Sequence, residues 1–153
     1  MFDLEWNCMM NTSRRARPAA DVAIGYAADE RGAGIAYAAV HTGSAVSTVR
    51  LRFTARPTPA LEGLEFGYAA VAVVAAHLKA RGFGRVRLRV ADERIVADLN
   101  GTGAPPKALT MLYVRIRCLL HGLGAARLEA GQAADVADLT ARARAEAELT
   151  VAA

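Results

Sequence analysis

The side chains in this chain best suited to chemistry are two carboxylates and two short arginine series. Asp92 directly follows the run Arg85-Val86-Arg87-Leu88-Arg89-Val90-Ala91, and Asp138 lies in an Ala/Arg-rich stretch near the end. Carboxylates are hard oxygen donors. Brought together, they hold Mg²⁺ or Mn²⁺, and the bound ion can activate water against a phosphodiester. Each also has a plainer use. Asp is a favoured helix N-cap, and Asp92 stands just before the helix-like run Glu93 to Asn100, which Gly101 stops; Asp138 fits equally as a solvated helix residue. Arg50 and Arg52, and likewise Arg87 and Arg89, alternate with apolar residues. If one sheet face presents them together they can track a phosphate backbone, although solvated alternation produces the same pattern. No aromatic residues are interleaved to stack bases. His41, His77 and His121 are scattered, and Cys8 and Cys118 have no metal-ligand spacing, which suggests a reduced, cytoplasmic protein.

Asp92 is positioned by a helix feeding a strand. The Ala/Val-rich run beginning near Gly67 ends in Lys79, Arg81 and Gly82, with cations in the last turn and glycine beyond it. The following strand, 85–91, turns Val86, Leu88 and Val90 to one face and its arginines to the other. Upstream, strands are expected over 22–28, 33–41 and 46–53, joined by the turns Asp29-Glu30-Arg31-Gly32 and Thr42-Gly43-Ser44. The third, with Val49, Leu51 and Phe53 against Arg50 and Arg52, reads as a half-buried edge strand. Pro57-Thr58-Pro59 predicts a helix start with Thr58 as N-cap and a continuous helix to Arg81. Downstream, 107–123 carries an apolar stripe through Leu109, Leu112, Ile116, Leu119 and Leu123, so Leu112, Ile116 and Leu119 should be buried against the long helix. A short strand over 124–129 and a helix over 133–148 complete the chain. A strand reached through a helical crossover pairs parallel, so 85–91 should lie parallel to 22–28. The expected α/β architecture is a mixed five-stranded sheet, three antiparallel strands then two parallel, with helices on both faces.

With 153 residues, 54% of them hydrophobic and 22% charged, one folded domain is expected over 21–153, preceded by a flexible tail over 1–20. Arg14, Arg15 and Arg17 in that tail could touch phosphates, but a solvated terminus is the simpler reading. The net charge of +4 permits a polyanionic partner without demanding one. The longest apolar run, 66–76, is too short to span a membrane, and the N-terminus lacks a secretory apolar region. Oligomeric state is not readable.

The element order, with these residues, resembles the ribonuclease H family, type 1, over about 21–146. The residues carrying the resemblance are Phe66-Gly67-Tyr68-Ala69-Ala70-Val71 in the long helix, Asp92-Glu93-Arg94-Ile95-Val96 with Asn100-Gly101 after the fourth strand, and Ala137-Asp138-Leu139-Thr140-Ala141 in the last helix. No inserted basic handle is present. The resemblance implies cleavage of the RNA strand of an RNA–DNA hybrid, with four acids holding two Mg²⁺ (or Mn²⁺) ions roughly 3.5–4 Å apart. Of the four, it maps Asp92 and Asp138 as catalytic and metal residues, with Asp135 an alternative to the latter. The first-strand acid falls at Tyr26-Ala27-Ala28, taken at Ala27, and the helix acid at Gly67, so both are missing. Glu65 turns away by about 200°, Glu62 lies off the face unless the helix begins differently, and Asp29 approaches only if the hairpin is re-registered. Ala130-Gly131-Gln132 replaces a His-bearing loop. The resemblance thus implies a ribonuclease H-like protein with an incomplete carboxylate site. Such a protein binds nucleic acid, with Arg50, Arg52, Arg87 and Arg89 as contacts, and has weak or no nuclease activity. An active hybrid ribonuclease and a partner-binding domain without nucleic acid are the alternatives.

Overall fold

The computed structural model describes residues 17–152 apart from 125, 132 and 133, and does not describe the side chains of 134, 135 and 149–152. The expectations for Arg14, Arg15 and Cys8, and for the Asp135 side chain, therefore lie outside the described residues.

Strands β1 (Ala20–Ala28), β2 (Ala33–Thr42) and β3 (Ala45–Thr54) form an antiparallel meander. Helix α1 (Leu64–Ala80) leads to β4 (Val86–Val90) and α2 (Glu93–Leu99), then α3 (Thr110–Gly122), β5 (Arg127–Ala130) and α4 (Ala134–Ala152). The sheet order is β3-β2-β1-β4-β5, and β4 runs parallel to both β1 and β5. The expected order and strand directions are those observed. The fifth strand begins later than expected, at Arg127.

Alternation along β1 divides the core in two. Val22 and Ile24 face α1 and the helices beside it, in one large cluster with Leu78, Leu88, Leu99 and Ile116. Ala23 and Ala27 face α4, with Val136, Leu139 and Ala143. Gly25 lets α4 lie directly on β1, since a Cβ there would sit 2.3 Å from the Thr140 backbone nitrogen.

Three expectations require correction. The helix after Pro57 is not continuous. Pro59–Leu61 forms a 3-10 turn, Glu62 (φ 53) and Gly63 (φ 86) adopt left-handed backbone, and α1 restarts at Leu64. Thr58 makes no side-chain cap; its hydroxyl donates instead to the Arg56 carbonyl at 3.2 Å. On α3, Ile116, Leu120 and the following Leu123 are buried, but Leu112 and Leu119 are only half-buried, because α1 covers a narrower stripe than the apolar pattern offers. Among the described residues, no helix is long and apolar enough to cross a membrane.

Candidate functional site: an acid-lined cavity beside Asp92

β4 ends at Val90, and Asp92 is extended (φ −82, ψ 109) with its Oδ1 accepting from the Arg94 N–H at 2.9 Å. It is therefore the N-cap of α2. It also borders a cavity of about 610 Å³ at this end of the sheet. The β1–β2 turn contributes Asp29 and Glu30, the entry to α1 contributes Glu62 and Phe66, and α4 contributes Arg144 and Glu148. Glu62 reaches the cavity because of the left-handed break before α1. Asp29 is there too, but its Oδ1 accepts from the Arg31 and Ala33 N–H groups at 2.9 and 3.0 Å, which holds the turn. Glu65 is buried on the other side of α1, where it accepts from the Thr58 N–H at 3.2 Å.

Gly67, the position to which the resemblance maps the helix acid, has no room for a side chain. Tyr26, not Ala27, is the first-strand residue facing α1; Ala27 packs toward α4. A Cβ added to Gly67 would lie 2.1 Å from Ile95 Cδ1 and 2.6 Å from the Tyr26 hydroxyl oxygen. Burial, and secondarily the charge of Asp92, pushes the Tyr26 phenol up to about 12, so it stays a neutral hydroxyl. Among the described residues, no three His, Cys, Asp or Glu side chains are grouped to hold a metal ion. Among the described side chains, the donor set does not fit a Mg²⁺ or Mn²⁺ pair. Strand parity was the signal that could have selected Tyr26, which shares its face with Val22 and Ile24.

Asp138 is exposed on α4 and does not line this cavity; Arg144 and Glu148, roughly two to three turns further along the helix, do. Asp92 therefore borders the same cavity as Asp29 and Glu62, whereas Asp138 does not.

The four arginines share the α4 side of the sheet without forming one track. α4 lies on β1 and β2 between them. On one flank, Arg50 pairs with Glu146, which also accepts from the Tyr37 hydroxyl. Arg52 is exposed beside it. On the other flank, Arg89 donates to both Asp21 oxygens at 3.0 and 2.6 Å, and Arg87 lies 3.4 Å from Glu129.

No protein-family model and no curated protein matches this sequence. Solved structures do. The chain is similar to RNase H1 from the halophilic archaeon Halobacterium salinarum, with 18% identity, a TM-score of 0.65 and coverage of 84% of this chain and 98% of that one. It is similar to the N-terminal RNase H domain of a Mycobacterium tuberculosis protein, with 16% identity, a TM-score of 0.67 and coverage of 89% and 99%. A third similar structure is LC11-RNase H1 in complex with an RNA/DNA hybrid, with 14% identity, a TM-score of 0.58 and coverage of 84% and 98%. A mixed sheet of this order, with helices packed on its faces, defines an α/β protein. The chain has the ribonuclease H-like fold.

Proposed function

We propose that this is a ribonuclease H-like nucleic-acid-binding protein of the cytoplasm whose carboxylate site does not support efficient metal-dependent cleavage. The observation that carries this reading is the filling of the space at Gly67, where the resemblance maps the helix acid, by the Tyr26 phenol and the Ile95 side chain. A pair of ions acts by stabilising attacking and leaving oxygens together, and one cap aspartate cannot assemble that pair. The hybrid bound by the similar LC11-RNase H1 structure supports an RNA–DNA hybrid or related duplex as partner. Exposed Arg52 is the contact most easily offered to phosphate, while Arg50, Arg87 and Arg89 would have to exchange a carboxylate for it. Asp138 remains a proposed site residue only if hybrid binding rearranges α4.

A hybrid-cleavage assay in Mg²⁺ and in Mn²⁺, run beside binding titrations at two salt concentrations, tests this. The expected result is no cleavage, with binding that weakens steeply as salt rises. Cleavage by the unmodified protein, abolished by Asp92→Asn, would overturn it in favour of the hybrid ribonuclease, a reading favoured by Asp29, Glu62 and Asp92 opening on one cavity. Absence of any binding would leave the partner-binding domain. Tyr26→Asp puts an acid beside Asp92 without needing room at Gly67, and calorimetry should show tighter Mg²⁺ binding than in the parent. Unchanged affinity would mean that position 26 is not where the first-strand acid belongs.

A further inference from the structure

Helix α3 carries more apolar surface than the fold covers. Of the eight apolar residues in Thr110–Gly122, only Ile116 and Leu120 are buried. Three large apolar side chains are exposed among the described residues, Val46, Met111 (82%) and Val114 (50%). Two of them stand on this one helix, where Cys118 is exposed as well. Their spacing of three and four makes a helical seam. At about 100° per residue, Met111, Val114 and Cys118 fall within roughly 60° of one another, on the side turned away from Ile116. Single exposed apolar residues need no explanation, whereas an aligned row rimmed by polar groups marks a docking face.

The charge around the seam has one sign. Residues 100–128 contain no Asp or Glu, but they include Lys107, Arg115, Arg117, His121 and Arg127. Arg117 donates to the Leu99 carbonyl at 2.7 Å. Arg115 is exposed about 40° from Met111 around the helix, and among the described residues its side chain has no hydrogen-bond or ion-pair partner. On that flank Met111 and Arg115 border a cavity of about 840 Å³, which Arg52 of β3 and Arg56 just after it also line. The one acid in that lining, Glu65, is buried and accepts from the Thr58 N–H. We propose that the outer face of α3 docks an acidic amphipathic helix of a protein partner, its apolar row packed on Met111, Val114 and Cys118 and its carboxylates beside Arg115 and Arg56. A second copy of this chain would match the apolar seam, but an antiparallel pairing through Val114 sets Arg115 against its own equivalent. A nucleic acid would use the arginines and leave the apolar row unanswered. An apolar strip this narrow, on a helix packed into the core along its other side, offers a lipid surface little area to bury.

The probe is a fluorescein-labelled synthetic peptide of about 14 residues, roughly four helical turns, with Leu at the seam positions and Glu beside them, read by fluorescence anisotropy. A version with Lys in place of Glu and one of the same composition in scrambled order are the controls. The acidic peptide should bind saturably, and less tightly as salt rises, while both controls should bind at least about tenfold more weakly. Met111→Asp and Val114→Asp, both at exposed positions, should abolish binding with circular dichroism unchanged. Arg56→Glu with Arg115→Glu should remove binding of the acidic peptide and create binding of the lysine peptide, a reversal that loss of folding would not produce. In a Cys8→Ser background, reaction of Cys118 with a thiol reagent should slow severalfold when the acidic peptide is bound. No saturable binding of the acidic peptide, or equal affinity for the scrambled one, overturns the proposal. So does evidence that the seam serves another occupant: a dimer by light scattering, hybrid binding, or binding to phosphatidylserine vesicles, in each case lost in Val114→Asp. The hybrid titration of the unmodified protein tests the function proposed above, so the two ideas fail separately.

Discussion

The two faces of the sheet are held in different ways. Toward α1 and α3, the core is a continuous block of aliphatic side chains, with Leu78, Leu88, Ile95, Leu99, Ile116 and Leu128 almost fully buried. Toward α4 it is a thin strip of Ala23, Ile35, Ala39, Val136, Leu139 and Ala143 around Tyr37. Directional contacts supplement that strip. The Tyr37 hydroxyl donates to Glu146, Arg50 pairs with the same carboxylate, and the Arg142 guanidinium sits 4.6 Å from the Tyr37 ring centroid. Hydrophobic burial scales with area and is indifferent to direction, so the first face supplies most of the stability. Charged and hydrogen-bonding groups need particular geometry, so the second face chiefly sets where α4 lies. Because α4 carries Arg144 and Glu148 to the acid-lined cavity, the less apolar face determines part of the candidate site.

Gly67→Glu strikes the aliphatic face hardest. Its Cβ would overlap Ile95 Cδ1 and its carboxylate would be forced among buried groups, so the cooperative unfolding transition should be lost on denaturant titration. A well-folded variant would show that α1 and α2 can separate, and would blur the contrast between the faces. Ile116→Ala, at a fully buried position, should cost about 2–5 kcal/mol. Leu139→Ala on the α4 face should fall at the lower end, about 2 kcal/mol, since its site is shallower and 8% exposed. Equal losses for the two variants in urea melts would break the comparison.

The smallest effect expected is on acid stability. Hydrogen bonds from Arg50, then from Tyr37, hold the Glu146 carboxyl below the usual carboxylate range, and the Arg89 hydrogen bonds do the same for Asp21. A carboxyl whose folded value is lowered stabilises the fold above its unfolded value, and that contribution disappears as pH falls through the folded value. Between about pH 5 and about pH 3 the parent should therefore lose thermal stability more steeply than Glu146→Gln. Identical acid limbs would assign the sensitivity to Asp21 and Arg89. Since these groups are only partly buried, solvent screening keeps the difference small.

Much of the fold was legible in sequence because its signals are local. The alternation of Val86, Leu88 and Val90, the three-four spacing around Ile116, and the turn residues at 29–32 and 42–44 act within a few residues of chain, and together they order the strands and helices. Asp92 as the residue ending a strand and capping a helix is equally local, and the backbone hydrogen bond from Arg94 spans two residues. The break at Glu62 and Gly63 was not legible, because Pro59 suits a helix start and the left-handed turn is stabilised by what α1 packs against. The candidate site depended on the tertiary structure most of all. Tyr26 meets Gly67 and Ile95 only after β1, α1 and α2 converge. The arginine partners follow the same rule. Arg89 finds Asp21 across 68 residues and Arg50 finds Glu146 across 96. Local propensity decides which elements form, whereas which side chains share a cavity or neutralise one another depends on faces and registers that exist only when the sheet is assembled and its helices are docked.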